Sequence, residues 1–107
     1  MTSTGSHFVK LALADGGTTS EAVDVRAFRR FAILIPADFT GAMLLVSGSV
    51  DGATFYQTDV ALAVSATEQW VTLSSDQAEA LSPLPWLRFV SDVAQTPATS
   101  LFIALKG

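Results

Sequence analysis

The side chains able to do covalent chemistry in this chain are few, and their spacing does not assemble them. Ser47-Gly48-Ser49 comes nearest to a nucleophilic serine motif. A nucleophile elbow requires Gly-x-Ser-x-Gly between a strand and a helix, so that the hydroxyl stands exposed beside an oxyanion hole. Here strand-like sequence continues on both sides, and the only imidazole to serve as base is His7, far upstream. Ser47 and Ser49 therefore read as outward or small positions of a strand. Paired carboxylates raise glycoside hydrolysis as a second chemistry. The acids are Asp15, Glu21, Asp24, Asp38, Asp51, Asp59, Glu68, Asp76, Glu79 and Asp92. Most stand in expected turns, where Asp caps backbone amides, and spacing sets no pair apart. Those loops offer oxygen ligands for Ca²⁺, but without the alternating acids and glycine of an EF-hand. There is no cysteine, which removes disulfides, zinc–thiolate sites, iron–sulfur clusters and thiol nucleophiles together. The expectation is a protein that is not an enzyme and carries no cofactor or metal.

Two groups of residues suit binding instead. Arg26, Arg29 and Arg30 are half of the six Lys and Arg residues present. They read either as a contact patch for an anionic partner or as a solvated turn whose charges discourage edge-to-edge sheet pairing. Among the aromatics, Phe55, Tyr56, Trp70 and Trp86 could form a sugar-stacking face or a subunit contact, against the simpler reading of core packing. Phe8, Phe28, Phe31, Phe39, Phe89 and Phe102 are expected in the core or an interface. Trp86 follows Pro83 and Pro85 and is expected to plug one end of the fold. Arg26, Arg29, Arg30 and Trp86 are the interface candidates, and Tyr56, Trp70 and Trp86 the glycan candidates.

Positioning such residues falls to a chain of 107 residues, half of them apolar and only 15% charged, with a mean hydropathy of +0.43. This is enough apolar mass for a packed core and too much for disorder. A net charge of −4 and an isoelectric point near 4.6 argue against a nucleic-acid partner. Residues 1–6 lack the basic and apolar regions of a signal peptide. The longest apolar run, residues 31–37, is far short of the ~20 residues needed to cross a bilayer, so no membrane contact is expected. With so few charges, much of the outer surface must be aliphatic, and large apolar surface marks an interface. The expectation is a homo-oligomer or a subunit docked on a larger assembly.

Short apolar segments, cut by turn residues about every dozen positions, give the pattern of an all-β sandwich. Residues 7–14 alternate, with Val9, Leu11 and Leu13 on one face; Asp15-Gly16-Gly17 breaks that strand, and residues 21–25 read as its hairpin partner. Residues 30–36 form a fuller apolar run, read as a strand buried on both faces. Residues 43–50 make the next strand, and Asp51-Gly52 turns it into a second hairpin with residues 54–57. Further strands are expected at 60–64, 69–73, 86–91 and 100–106. Residues 74–81 alone have helical character, with Asp76 and Glu79 spaced as a capping box. The fold class is an antiparallel β-sandwich, jelly-roll-like, of about eight strands with little or no helix. Residues 1–6 are expected to form a flexible arm and 7–107 a single domain.

The segment SGSVDGATFY at 47–56 resembles the strand–Asp-Gly–aromatic hairpin of small β-sandwich structural proteins from the virions of tailed bacteriophages and prophages. The order of segments matches too: FAILIP at 31–36, ADFTGA at 37–42, then MLLVSGSVDGATFY. Downstream, PWLRFVSDVAQTPATSLFIALKG at 85–107 resembles their closing part, with an aromatic-x-Arg-aromatic strand and a Gln-containing loop before a final apolar strand. The resemblance spans roughly residues 28–107; Val50, inserted before Asp51, and the N-terminal strands depart from it. It implies a non-enzymatic virion protein, made in the host cytoplasm, that decorates or cements the capsid as a homo-oligomer such as a trimer against the major capsid protein. A tail or baseplate position is the alternative. Asp-Gly-x-Thr-Phe hairpins also occur in discoidin-like sandwiches, so a carbohydrate-binding module is a third reading.

Overall fold

Alternation of apolar and polar residues, repeated along successive strands, is what builds the two layers. In the computed structural model, which describes residues 7–26 and 28–107, β1 (His7–Leu13) turns Leu11 and Leu13 into the core and Phe8, Lys10 and Ala12 outward. The same period governs β3 (Arg30–Ile35), β7 (Trp86–Ser91) and β8 (Thr99–Lys106). The others are β2 (Val23–Asp24), β4 (Met43–Ser49), β5 (Tyr56–Ala63) and β6 (Gln69–Thr72), with one helix, α1 (Ser75–Leu81), between β6 and β7. The expected arm at residues 1–6 lies outside the described residues.

Two four-stranded antiparallel sheets result, ordered β1-β8-β3-β6 and β2-β7-β4-β5. The order is that of a jelly roll, in which the chain passes back and forth between the sheets. Their inner faces enclose Leu11, Leu13, Phe31, Ile33, Ile35, Leu44, Val46, Leu62, Leu87, Phe89, Leu101, Ile103 and Leu105, with Leu81 of α1 closing one side. Each such side chain contributes about 1.5–3 kcal/mol of burial free energy, offset by the entropy of ordering the chain.

Local sequence signals located the elements better than their partners. Asp51-Gly52 does join a hairpin, β4 with β5. Gly52 sits at φ +79°, a backbone region that favours glycine. The expected hairpin of residues 7–14 with 21–25 is cut to one antiparallel bridge, Leu13↔Ser20, with Glu21 N–H donating to Ala12 O (3.1 Å). β1 pairs along its whole length with β8, from His7↔Leu105 to Leu13↔Thr99, and β2 pairs with β7 in the other sheet. After the turn at Asp15–Gly17 and that one bridge, the chain crosses to the other sheet. Residues 18–25 then run beside β7, held by Ser91 N–H to Thr18 O (2.7 Å), Ser20 N–H to Phe89 O (2.8 Å) and Val25 N–H to Pro85 O (2.8 Å).

Three further readings change. Residues 54–57 and 60–64 belong largely to one strand, β5, kept continuous past a register shift between Leu45 and Ser47. At that shift the Thr58 hydroxyl donates to Val46 O (2.9 Å). Strand β3 is buried on one face only, with Ala32 and Leu34 half-buried on the outer side. The capping box of α1 is made by Ser74 and Gln77 rather than Asp76 and Glu79: Gln77 N–H donates to Ser74 Oγ (3.2 Å), and Ser74 N–H to Gln77 Oε1 (2.9 Å).

Candidate functional site

The register of the sheet β1-β8-β3-β6 sets its outward side chains in rows. One row runs Phe8, Ala104, Ala32, Thr72; the next runs Lys10, Phe102, Leu34, Trp70. At one end of the face, Arg30 pairs with Lys106. Phe8 and Trp70 stand on opposite edge strands, yet their rings approach to 6.4 Å between centroids at an interplanar angle of 56°. Ala104 and Ala32, lying between those edges, are small enough to let the rings lean together. Phe8 remains 64% exposed, Trp70 46% and Phe102 38%. Beside this aromatic ridge, a cleft of about 430 Å³ has Ala32 and Ala104 in its wall, Arg30 and Lys106 at its mouth and Ser75 and Ala78 of α1 on its far side.

The opposite sheet presents a different surface. Trp86 faces outward from β7 between Asp24 and Ser49, and its indole lies against Gly52, where an added Cβ would stand 3.0 Å from the ring. It covers the β4–β5 turn from outside and does not plug the fold, because its position on β7 has outward parity. Leu84 does the plugging, resting on Gly48 so closely that a Cβ there would come within 2.4 Å of its methyl group. One residue pair further along, the Arg88 guanidinium lies 4.4 Å above the Phe55 ring, and its Nε is buried with no acceptor from the protein.

The turn under Trp86 is organised by one carboxylate. Asp51 Oδ1 accepts from Ala53 N–H (2.9 Å), Thr54 N–H (3.1 Å) and Ser49 Oγ–H (2.9 Å). Those donors, Ala53 first, hold the Asp51 carboxyl down to a pKa of about 2. Ser49 Oγ in turn accepts from Gly52 N–H (2.9 Å). Ser49 is thus a buried turn-forming hydroxyl, and among the described residues no three His, Cys, Asp or Glu side chains gather as a metal site.

The interface candidates are dispersed. Arg26 donates through Nε to both oxygens of Asp24 (3.0 and 3.1 Å), and these bonds hold the Asp24 carboxyl below its ordinary range. Arg29 is exposed near α1, where it lines a cleft with Arg30, Ser75 and Glu79. Arg30 belongs to the aromatic face, whereas Trp86 lies on the other sheet. The glycan candidates do not share a face either. Trp70 is on the aromatic face, while Trp86 and the 75% exposed Tyr56 lie on either side of the β4–β5 turn. Tyr56 borders a cleft of about 500 Å³ with Asp51, Thr58 and Leu84. Phe8, Lys10, Phe102 and Lys106 were not singled out as a surface by the sequence. The signal was available in the alternation, which sets each of them opposite in parity to the core leucines and isoleucines beside it.

No family model and no curated protein sequence matches the chain. Among solved structures, the SPBc2 prophage-derived protein YomS superposes with a TM-score of 0.61 at 11% identity, over 100% of this chain and 99% of that one. A carbohydrate-binding module, CBM32-1 from a family 31 glycoside hydrolase of Clostridium perfringens, superposes with a TM-score of 0.52 at 12% identity, over 91% of this chain and 76% of the module. At such identities the likeness establishes the fold, and the fold is a β-sandwich found in a prophage-derived protein and in a carbohydrate-binding module alike.

Proposed function

We propose that this chain is a non-enzymatic structural protein of a phage-type particle, set on the capsid as a decoration or cement subunit and assembling there as a homo-oligomer. The observation that carries the reading is the likeness to a prophage-derived protein over 100% of this chain and 99% of that one. The hairpin at 47–56 and the closing segment at 85–107 support it from the sequence side. An exposed aromatic face suits a subunit that binds by surface, and repetition over a particle turns weak contacts into avidity. Immunogold labelling of particles induced from the producing cells tests the reading. Dense label over heads is expected; label confined to one end moves the protein to the tail or baseplate, and bare particles overturn the assignment.

A second reading, a carbohydrate-binding module, draws on the likeness to the clostridial module and on Tyr56 beside its cleft. Titrating soluble glycans against intrinsic fluorescence decides it, since stacking on Tyr56, Trp70 or Trp86 shifts their emission. A flat titration across neutral and acidic glycans rules it out.

A further inference from the structure

We propose that the outer face of the sheet β1-β8-β3-β6 docks an acidic protein surface, one that presents carboxylates around apolar side chains. The inference starts from where the charges are. The chain carries ten acidic residues against six basic ones, yet the four strands of this sheet hold no carboxylate at all, and Lys10, Arg30 and Lys106 all lie on its outer side. Carboxylates stand at its border, where Glu21 Oε1 accepts from Ala12 N–H (2.9 Å) and Glu79 lines a cleft with Arg30. Inside that border the strands carry one sign on a domain of the other, a local field that a neighbour within about 10 Å feels before the net charge.

Their arrangement has the anatomy of a protein interface. Phe102 and Leu34 stand on the two middle strands and the Phe8 and Trp70 rings lean in from the edges, while Lys10 sits at one edge and Arg30 with Lys106 at one end, as a cationic rim about an apolar centre. The neighbouring cleft continues the design: an acidic side chain lying along Ala32 and Ala104 brings its carboxylate to Arg30 and Lys106. A second copy docked face to face would set these three cations against their own images, which disfavours a symmetric self-contact. A single-stranded nucleic acid is a poorer fit, because successive bases need open, separately stacked rings, whereas Phe8 and Trp70 lean on one another.

The partner's identity rests on the structural-subunit reading above, but the face can be tested apart from it. The probe is a fluorescently labelled random Glu/Tyr copolymer, compared with polyglutamate and with a dT oligonucleotide. The Trp86→Phe variant leaves Trp70 as the sole indole reporter. The copolymer is expected to bind more tightly than polyglutamate, to shift Trp70 emission and to release as salt rises. Replacing Lys10, Arg30 and Lys106 together by Gln should weaken binding roughly tenfold. The set Val50→Glu, Ala53→Glu and Ala63→Glu, equal in net charge but placed on exposed positions off this face, should leave it unchanged. Equal losses in the two sets, tighter binding of the oligonucleotide, or self-association that Trp70→Ser abolishes would each overturn the proposal. Copolymer binding without label on particles overturns the particle reading alone, and particle occupancy indifferent to the Lys/Arg→Gln set overturns the face alone.

Discussion

The side-chain amide of Gln95 closes on both backbone groups of Thr40, as one residue of an antiparallel ladder closes on its opposite. Gln95 Oε1 accepts from Thr40 N–H (2.9 Å) and its Nε2 donates to Thr40 O (2.6 Å), with a further bond to Ser91 Oγ (3.0 Å). The side chain has no exposed surface. It stands in for the strand that neither loop, 36–42 nor 92–98, supplies, and it binds the two together.

Replacing Gln95 by Leu is therefore expected to destabilise the protein by about 1–3 kcal/mol, because the Thr40 N–H loses its partner while its C=O keeps the Ser91 hydroxyl (3.2 Å). Thr40→Val keeps those backbone groups and should change stability by less than about 1 kcal/mol. Urea unfolding of the two variants separates them; equal midpoints would show that the amide is not what holds the loops.

Asp51 makes the acid limb of stability specific. Its pKa is lowered to about 2 in the folded turn, against about 4 in an unfolded chain. The stabilisation it brings is fully present above pH 4 and is lost as pH falls through about 2. Asp51→Asn should unfold at a lower urea concentration than the parent at pH 7, with the gap narrowing between pH 4 and 2. A gap independent of pH would sever the turn from the titration.

Gly48 and Leu84 should behave as a unit. A methyl group at position 48 meets Leu84 Cδ1 at 2.4 Å and Cγ at 3.2 Å, so Gly48→Ala is expected to cost about 1–3 kcal/mol through overpacking. In the Leu84→Ala background the same substitution should be far milder. A double-mutant cycle with no coupling would mean that Leu84 moves aside freely.

The elements of the sandwich were legible from the sequence because each carries its own period and its own stop. Pairing was not, since nothing local marks β8 as the neighbour of β1; residues at opposite ends of the chain meet there, and the glycine turn at 16–17 suggests a nearer partner. Of the candidate residues, Trp70 stands on an open face, as the exposed strand position at 70 allows. The two prolines before Trp86 suggest a plug, whereas its parity on β7 sends it outward and leaves Leu84 to cover Gly48. Phe8 shows the converse. Aromatic character argued for the core, but its step out of phase with Val9, Leu11 and Leu13 was the better guide. Gln95 is chemically unremarkable in sequence, and only the distance from Thr40 in space makes it a clasp.

The pairing of β1 with β8 has a mechanical corollary. His7 lies opposite Leu105, so the outermost residues of these two antiparallel strands sit side by side at one corner of the sheet. Tension applied between them would peel the strands apart one rung at a time, a soft loading geometry, instead of shearing all the rungs at once. The domain therefore yields most readily when it is pulled by β1 and β8 at that corner.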